Sequence, residues 1–120
     1  MDERGSVLIV EDDPDARDSL CALLETEGYR VRAAGHGEEA LRMLRSAGAC
    51  IVVLDIFMPV MNGFEFLCEK SRDPALARLP VIVVSADATA VQQASHRGVA
   101  AALTKPVDHD RLLDLIRRHC

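Results

Sequence analysis

Two hydrophobic periods alternate along this chain. Uninterrupted apolar runs occupy 7–10, 51–54, 80–84 and 100–103. Between them, apolar residues return every three or four positions, the spacing of a helix with one buried face. Asp13 and Pro14 read as an N-cap followed by proline at the first helical position. Ala16, Leu20, Leu23 and Leu24 then mark the inward side, and Gly28 ends that helix. YRVRAA over 29–34 alternates apolar and basic residues, as a half-exposed edge strand does. A second helix is predicted over 37–48, with Ala40, Leu41, Leu44 and Ala47 inward. Its acids come first and its arginines later, an order that suits the helix dipole.

IVVLD over 51–55 lacks alternation, which predicts a strand covered on both faces. A loop containing Pro59 and Gly63 leads into a helix through Phe64, Leu67 and Cys68, and a fourth strand follows Pro80. The segment 88–98 is weakly amphipathic, a helix anchored by Val91 and Ala94. The alanine-rich strand at 100–104 has poor strand propensity. The last helix is expected to start at Asp108 and to set Leu112, Leu113, Leu115 and Ile116 on one side. Five strand–helix units in succession predict an α/β fold, a doubly wound parallel sheet with helices on both faces. No repeat, linker or low-complexity stretch divides the chain. The expectation is a single domain over 1–120, without an output domain.

Composition narrows the function classes. A chain of 120 residues suits one domain that buries roughly two-thirds of its unfolded surface. No apolar stretch approaches the roughly 20 residues that span a bilayer, and no charged-then-apolar leader opens the chain. The expected place is therefore cytoplasmic, away from membranes. With a net charge of −5 and no basic block beyond Arg117 and Arg118, direct nucleic-acid contact is disfavoured. Tyr29, Phe57, Phe64 and Phe66 are too scattered to stack bases. Cys21, Cys50, Cys68 and Cys120 show no C-x-x-C spacing. They are expected to be reduced thiols packed as small hydrophobes, with Cys120 loose at the terminus.

Parallel strands bring their carboxyl ends to one edge, where such sheets bind ligands. At those ends stand Glu11, Asp12 and Asp13, then Asp55, Ser85 and Lys105. Asp13 has a capping job, whereas Glu11 and Asp12 face Asp55. Two unit charges about 4 Å apart repel by roughly 4 kcal/mol at an effective dielectric near 20. Such a cluster costs stability unless a cation or protons neutralise it. Its oxygen donors favour Mg²⁺, which keeps room for phosphate oxygens. Asp55 is the candidate nucleophile, since carboxylates attack phosphorus to give reactive acyl phosphates. Phosphoryl transfer needs positioning and charge neutralisation above all. Lys105 would supply a compact positive charge, Ser85 a hydroxyl, and Ala86 a backbone N–H. His36, His96, His109 and His119 read as exposed polar positions, and Met58 and Met61 as packing for the loop under the site. The alanines from Ala86 through Ala102 suit either a docking face or simple filler.

Four motifs in order, VLIVEDDP, DIFMPVMNG (55–63), VVSA and LTKP, give a resemblance to the response-regulator receiver domains of two-component phosphorelays. Each motif alone is weak; their joint order and spacing are specific, and the likeness covers essentially the whole chain. It implies the flavodoxin-like strand order 2-1-3-4-5. It also implies Glu11 and Asp12 as the acidic pair, with Asp12 a direct Mg²⁺ ligand. Asp55 becomes the phosphoacceptor and a metal ligand, and the main-chain carbonyl of Phe57 the third protein ligand. Ser85 matches the switch hydroxyl, Lys105 the phosphate-binding lysine, and the Lys105–Pro106 bond should be cis.

The implied function is signalling rather than conventional enzymology. A phosphoryl group passes from a histidine kinase or histidine phosphotransfer protein to Asp55, with Mg²⁺. A surface then switches for a downstream partner or a tethered output domain. A homodimer is an open alternative. Two departures stand out. Ala102 occupies the place of an aromatic three residues before the lysine, so a switch must move backbone or helix. Phe57 stands near the path of an attacking water and is expected to slow acyl-phosphate hydrolysis, with Asp87 opposing it by orienting water. Two rival readings are a small aspartyl-nucleophile phosphohydrolase, with its nucleophile near Asp12, and a receiver-like interaction domain that is never phosphorylated.

Overall fold

A computed structural model describes residues 5–120. Its elements run β1 (Ser6–Val10), α1 (Pro14–Thr26), β2 (Arg30–Ala34), α2 (Gly37–Ser46) and β3 (Ile51–Asp55). Then follow α3 (Gly63–Arg72), β4 (Val81–Ser85), α4 (Ala88–Ala94), β5 (Ala101–Thr104) and α5 (His109–His119). All strand pairs are parallel, in the order β2-β1-β3-β4-β5. The expected doubly wound sheet and its strand order are both present.

The inner strands explain their lack of alternation. Val7, Ile9, Ile51 and Val53 enter one apolar layer with Leu24 of α1 and Leu112 and Ile116 of α5. Their neighbours Leu8, Val10, Val52 and Leu54 enter the other, with Leu41 and Leu44 of α2 and Phe66 of α3. Successive side chains point to opposite faces, so a strand covered on both must be apolar at every position.

Polar caps fix where four helices begin. Asp13, Asp87 and Asp108 accept backbone N–H bonds at the starts of α1, α4 and α5. Asn62 and Glu65 form a reciprocal capping box at α3. Each such cap contributes about 1 kcal/mol. At the sheet edge, the Arg32 guanidinium donates to the carbonyls of Ala47 and Gly48, tying β2 to the end of α2.

Several local expectations are corrected. Ala47 is exposed because α2 stops at Ser46 and Ala47 is its extended C-cap. Ala90 and Ala94, rather than Val91, are the buried residues of α4. In α1 only Leu24 is fully buried, since this helix lies over β1 and the edge strand β2 and the flanks of its stripe meet solvent. Asp108 caps α5 instead of belonging to it. The four cysteines are not all free thiols: Cys50 and Cys120 are joined as a disulfide, with Cα atoms 5.1 Å apart. Because α5 runs back along the sheet, its end reaches the amino end of β3, a meeting that spacing in the chain does not reveal. Among the described residues no helix is long and apolar enough to cross a membrane.

Candidate functional site

Strand register assembles the site. Asp55 pairs with Val84, and Ser85 pairs with Thr104, so Asp55, Ser85 and Lys105 step along the carboxyl edge of β3, β4 and β5. Glu11 and Asp12 follow β1, which pairs with β3 on that side. Glu11, Asp55 and Ser85 are buried. Each of Glu11, Asp12 and Asp55 offers a carboxylate oxygen, and these atoms lie within 4.8 Å of one another.

The Lys105 ammonium links the pair of buried acids. Its Nζ is 2.7 Å from Glu11 Oε1 and 3.7 Å from Asp55 Oδ1. Glu11 is held further by its other oxygen, which accepts the Asp13 N–H, and by its carbonyl, which accepts from Arg17 Nη1. One cation between two buried carboxylates leaves an excess of negative charge. Burial pushes the Asp55 carboxyl up to about 7, and the charge of Glu11 acts in the same direction. The Lys105 charge and the Ile56 backbone N–H pull it down without offsetting these effects. At Lys105, burial acts downward, but the hydrogen bond to Glu11 and the charges of Asp55, Glu11 and Asp13 outweigh it. Its ammonium is therefore held above the ordinary range.

Ser85 Oγ accepts the Asp87 N–H, which places its lone pairs and its hydroxyl donor at the end of β4. Ala86 shares a cleft of about 530 Å³ with Glu11, Val84, Lys105, Pro106 and His109. Phe57 is 56% exposed and lines a separate cleft of about 310 Å³ with Asp12, Met58, Pro59 and Asn62. The Lys105–Pro106 bond is cis. Asp87 caps α4, with Oδ1 accepting the N–H groups of Thr89 and Ala90.

The loop beneath Asp55 holds features that the motifs alone did not disclose. A Cβ on Gly63 would lie 2.9 Å from the Asp55 carbonyl oxygen and 2.8 Å from Ile56 Cα. Gly63 N donates to the Ile56 carbonyl at 2.7 Å, closing the loop onto the backbone that follows Asp55. The signal was the Asn-Gly pair, a turn mark whose close approach shows only in three dimensions. Met58 is buried and Met61 packs on the same core, as expected for residues under the site. His36 serves as the N-cap of α2, its Nδ1 accepting the Glu39 N–H.

Hard oxygen donors at this spacing, with charge in excess of what Lys105 neutralises, fit a magnesium ion. Comparison with known proteins agrees. The family model described as "Response regulator receiver domain" matches residues 7–117. The chain belongs to this family. It is a receiver domain of two-component response regulators, and such domains are signalling modules. It is 33% identical to protein PilH of Pseudomonas aeruginosa, covering 92% of this chain and 93% of that one. It is 34% identical to the response regulator Rre1 of Synechocystis, covering 98% of this chain but 52% of the relative. The receiver domain thus spans about half of that regulator. A crystal structure of the receiver domain of sensor histidine kinase PA1611 from Pseudomonas aeruginosa superposes with a TM-score of 0.88. The two are 26% identical over 96% of each chain, and that structure has a magnesium ion coordinated in its active-site cleft. Receiver domains work with histidine kinases or phosphotransfer proteins and with output partners.

Proposed function

We propose that Asp55 accepts a phosphoryl group from the phosphohistidine of a histidine kinase or phosphotransfer protein. An Asp55 carboxylate oxygen attacks phosphorus, the bond from phosphorus to the imidazole nitrogen breaks, and the imidazole leaves. The observation that carries this reading is the Lys105 ammonium poised between Glu11 and Asp55, at 2.7 and 3.7 Å. Lys105 leans on Glu11 while Asp55 is unmodified. A phosphoryl group on Asp55 adds roughly −1.5 to −2 charges and draws that ammonium across. Ser85 turns its hydroxyl toward the new oxygens, and the Ala86 N–H stands beside it.

Glu11, Asp12 and Asp55, with the Phe57 main-chain carbonyl, would hold Mg²⁺. When bound, the ion neutralises charge on the phosphoryl oxygens. The rest falls to the chain. Burial excludes water from Asp55, Lys105 compensates charge, and Ser85 reads the product. The readout belongs to a downstream protein or a tethered output domain, and the domain works in the cytoplasm.

Acetyl phosphate with and without Mg²⁺, followed by intact mass and peptide mapping, tests this. One added PO₃ group, on Asp55, dependent on Mg²⁺ and absent from Asp55→Asn, is the expected result. Label near Asp12, with Asp55→Asn still modified, would replace the reading with an aspartyl phosphohydrolase. No label under any donor would leave an interaction domain.

A further inference from the structure

We propose that Cys50 and Cys120 form a reversible redox-modification site, oxidised by low-molecular-weight disulfides and reduced by their thiols, which fastens the last turn of α5 to the amino end of β3. Several observations beyond the bond itself support this. The two Cα atoms are 5.1 Å apart, inside the roughly 4.4–6.8 Å that a disulfide spans without backbone movement. Gly5 closes over the pair with φ +103°, and a Cβ there would sit 3.1 Å from one sulfur and 3.2 Å from the other. The backbone therefore packs directly on both sulfurs.

The reduced form has a seat of its own. Cys50 Sγ lies 3.1 Å from the Ser6 carbonyl oxygen, which a thiol can donate to and a disulfide sulfur cannot. On reduction the Cys50 thiol can donate to that carbonyl, which also accepts the Cys50 N–H at 2.8 Å, while the Cys120 thiol is left at the surface. Access is one-sided. Cys120 is exposed as the C-cap of α5, and Cys50 is half-buried beneath it. The chain's other two cysteines, Cys21 and Cys68, are free.

The chemistry balances as two thiol–disulfide exchanges. The Cys120 thiolate attacks one sulfur of a disulfide R–S–S–R and expels RS⁻, leaving a mixed disulfide on Cys120. The Cys50 thiolate then attacks the Cys120 sulfur, forming the Cys50–Cys120 bond and expelling the second RS⁻. The two thiol protons end on the two released thiols, and the two electrons reduce the reagent. The site stands at the amino end of β3. Asp55 closes the same strand about 16 Å away at strand rise. The staple therefore grips α5 without entering the phosphoacceptor cleft.

Equilibration of the whole chain across stepped ratios of oxidised and reduced glutathione tests the proposal. Each sample is acid-quenched, alkylated and weighed intact. It is then cleaved after both acidic and basic residues, so that Cys50 and Cys68 fall on separate peptides. At the oxidising end Cys21 and Cys68 are each expected to be alkylated or to carry one glutathione, and at the reducing end four thiols to be alkylated. A single Cys50–Cys120 link should accompany the change. The oxidised form should melt on the order of 10 °C above the reduced one, a gap that Cys120→Ser abolishes. A link through Cys21 or Cys68, four free thiols at every ratio, or a link that excess reduced glutathione leaves intact would each overturn it.

Discussion

Asp55 carries a heavy electrostatic load. Its folded value of about 7 exceeds its ordinary 3.8, so the fold favours the protonated form. Stability from this group is fully present below the ordinary value and is lost as pH rises toward 7. Without metal, Asp55→Asn should therefore stabilise the protein at pH 8 by on the order of 2 to 4 kcal/mol, and hardly at all near pH 4, by chemical denaturation. Mg²⁺ should stabilise the parent more at pH 8 than at pH 5, because it competes with that proton. A Tm gain that is flat in pH would remove the argument. Phe57, 56% exposed beside Asp12, is the other residue with a readable consequence. Phe57→Asn should shorten the phosphoryl lifetime several-fold by opening a path for water, measured as decay of the phosphorylated mass. An unchanged lifetime would mean that the ring stands clear of that path. These side chains were legible because each closes or follows an apolar run. The bond from Lys105 to Glu11 spans 94 positions and was not.

The β3–α3 loop shows what an element adds to its residues. Val60 has φ 68°, and Met61 N donates to the Pro59 carbonyl at 2.7 Å, a γ-turn centred on a β-branched residue. Positive φ at such a side chain costs about 1–3 kcal/mol, part of which glycine's own entropy cost would return. Val60→Gly should therefore raise stability by about 1 kcal/mol, seen as a higher urea midpoint at unchanged slope. Gly63→Ala should act in reverse. Its methyl group would meet the backbone of Ile56 and Asp55, which cannot swing aside, and a loss of about 2–3 kcal/mol is expected. A Gly63→Ala protein as stable as the parent would show that the loop yields easily. Element boundaries were read well where a cap or glycine marks them, as at Asp13 and Gly28. They were misread where only an alanine decides. Ala47, expected inward, is exposed, and Ala90, which no pattern singled out, is buried, because a methyl group fits a core or a surface equally well.

At the scale of the whole molecule, stability is uneven. α4 has seven residues and buries only Ala90 and Ala94, and Ala102 on β5 beside it is small and half-buried. A region with so little apolar burial opens locally at low cost. Amide exchange should be faster in α4 than in α5. Beryllofluoride with Mg²⁺ should change protection over 86–104 while leaving 6–10 and 51–54 as they were. A response that skips α4 would place the switch elsewhere. The layered α/β plan and the order of its elements were written locally. Period-two and period-3.6 patterns, caps and strand-end acids each lie within a few residues. They determine which elements form and which chemistry arrives at the sheet's carboxyl edge. Only the tertiary structure decided which distant groups meet: Lys105 with Glu11, Cys120 with Cys50, Gly63 against the backbone of Asp55. Such meetings follow from strand register and from how each crossover helix lies on the sheet, and no short window of sequence encodes either.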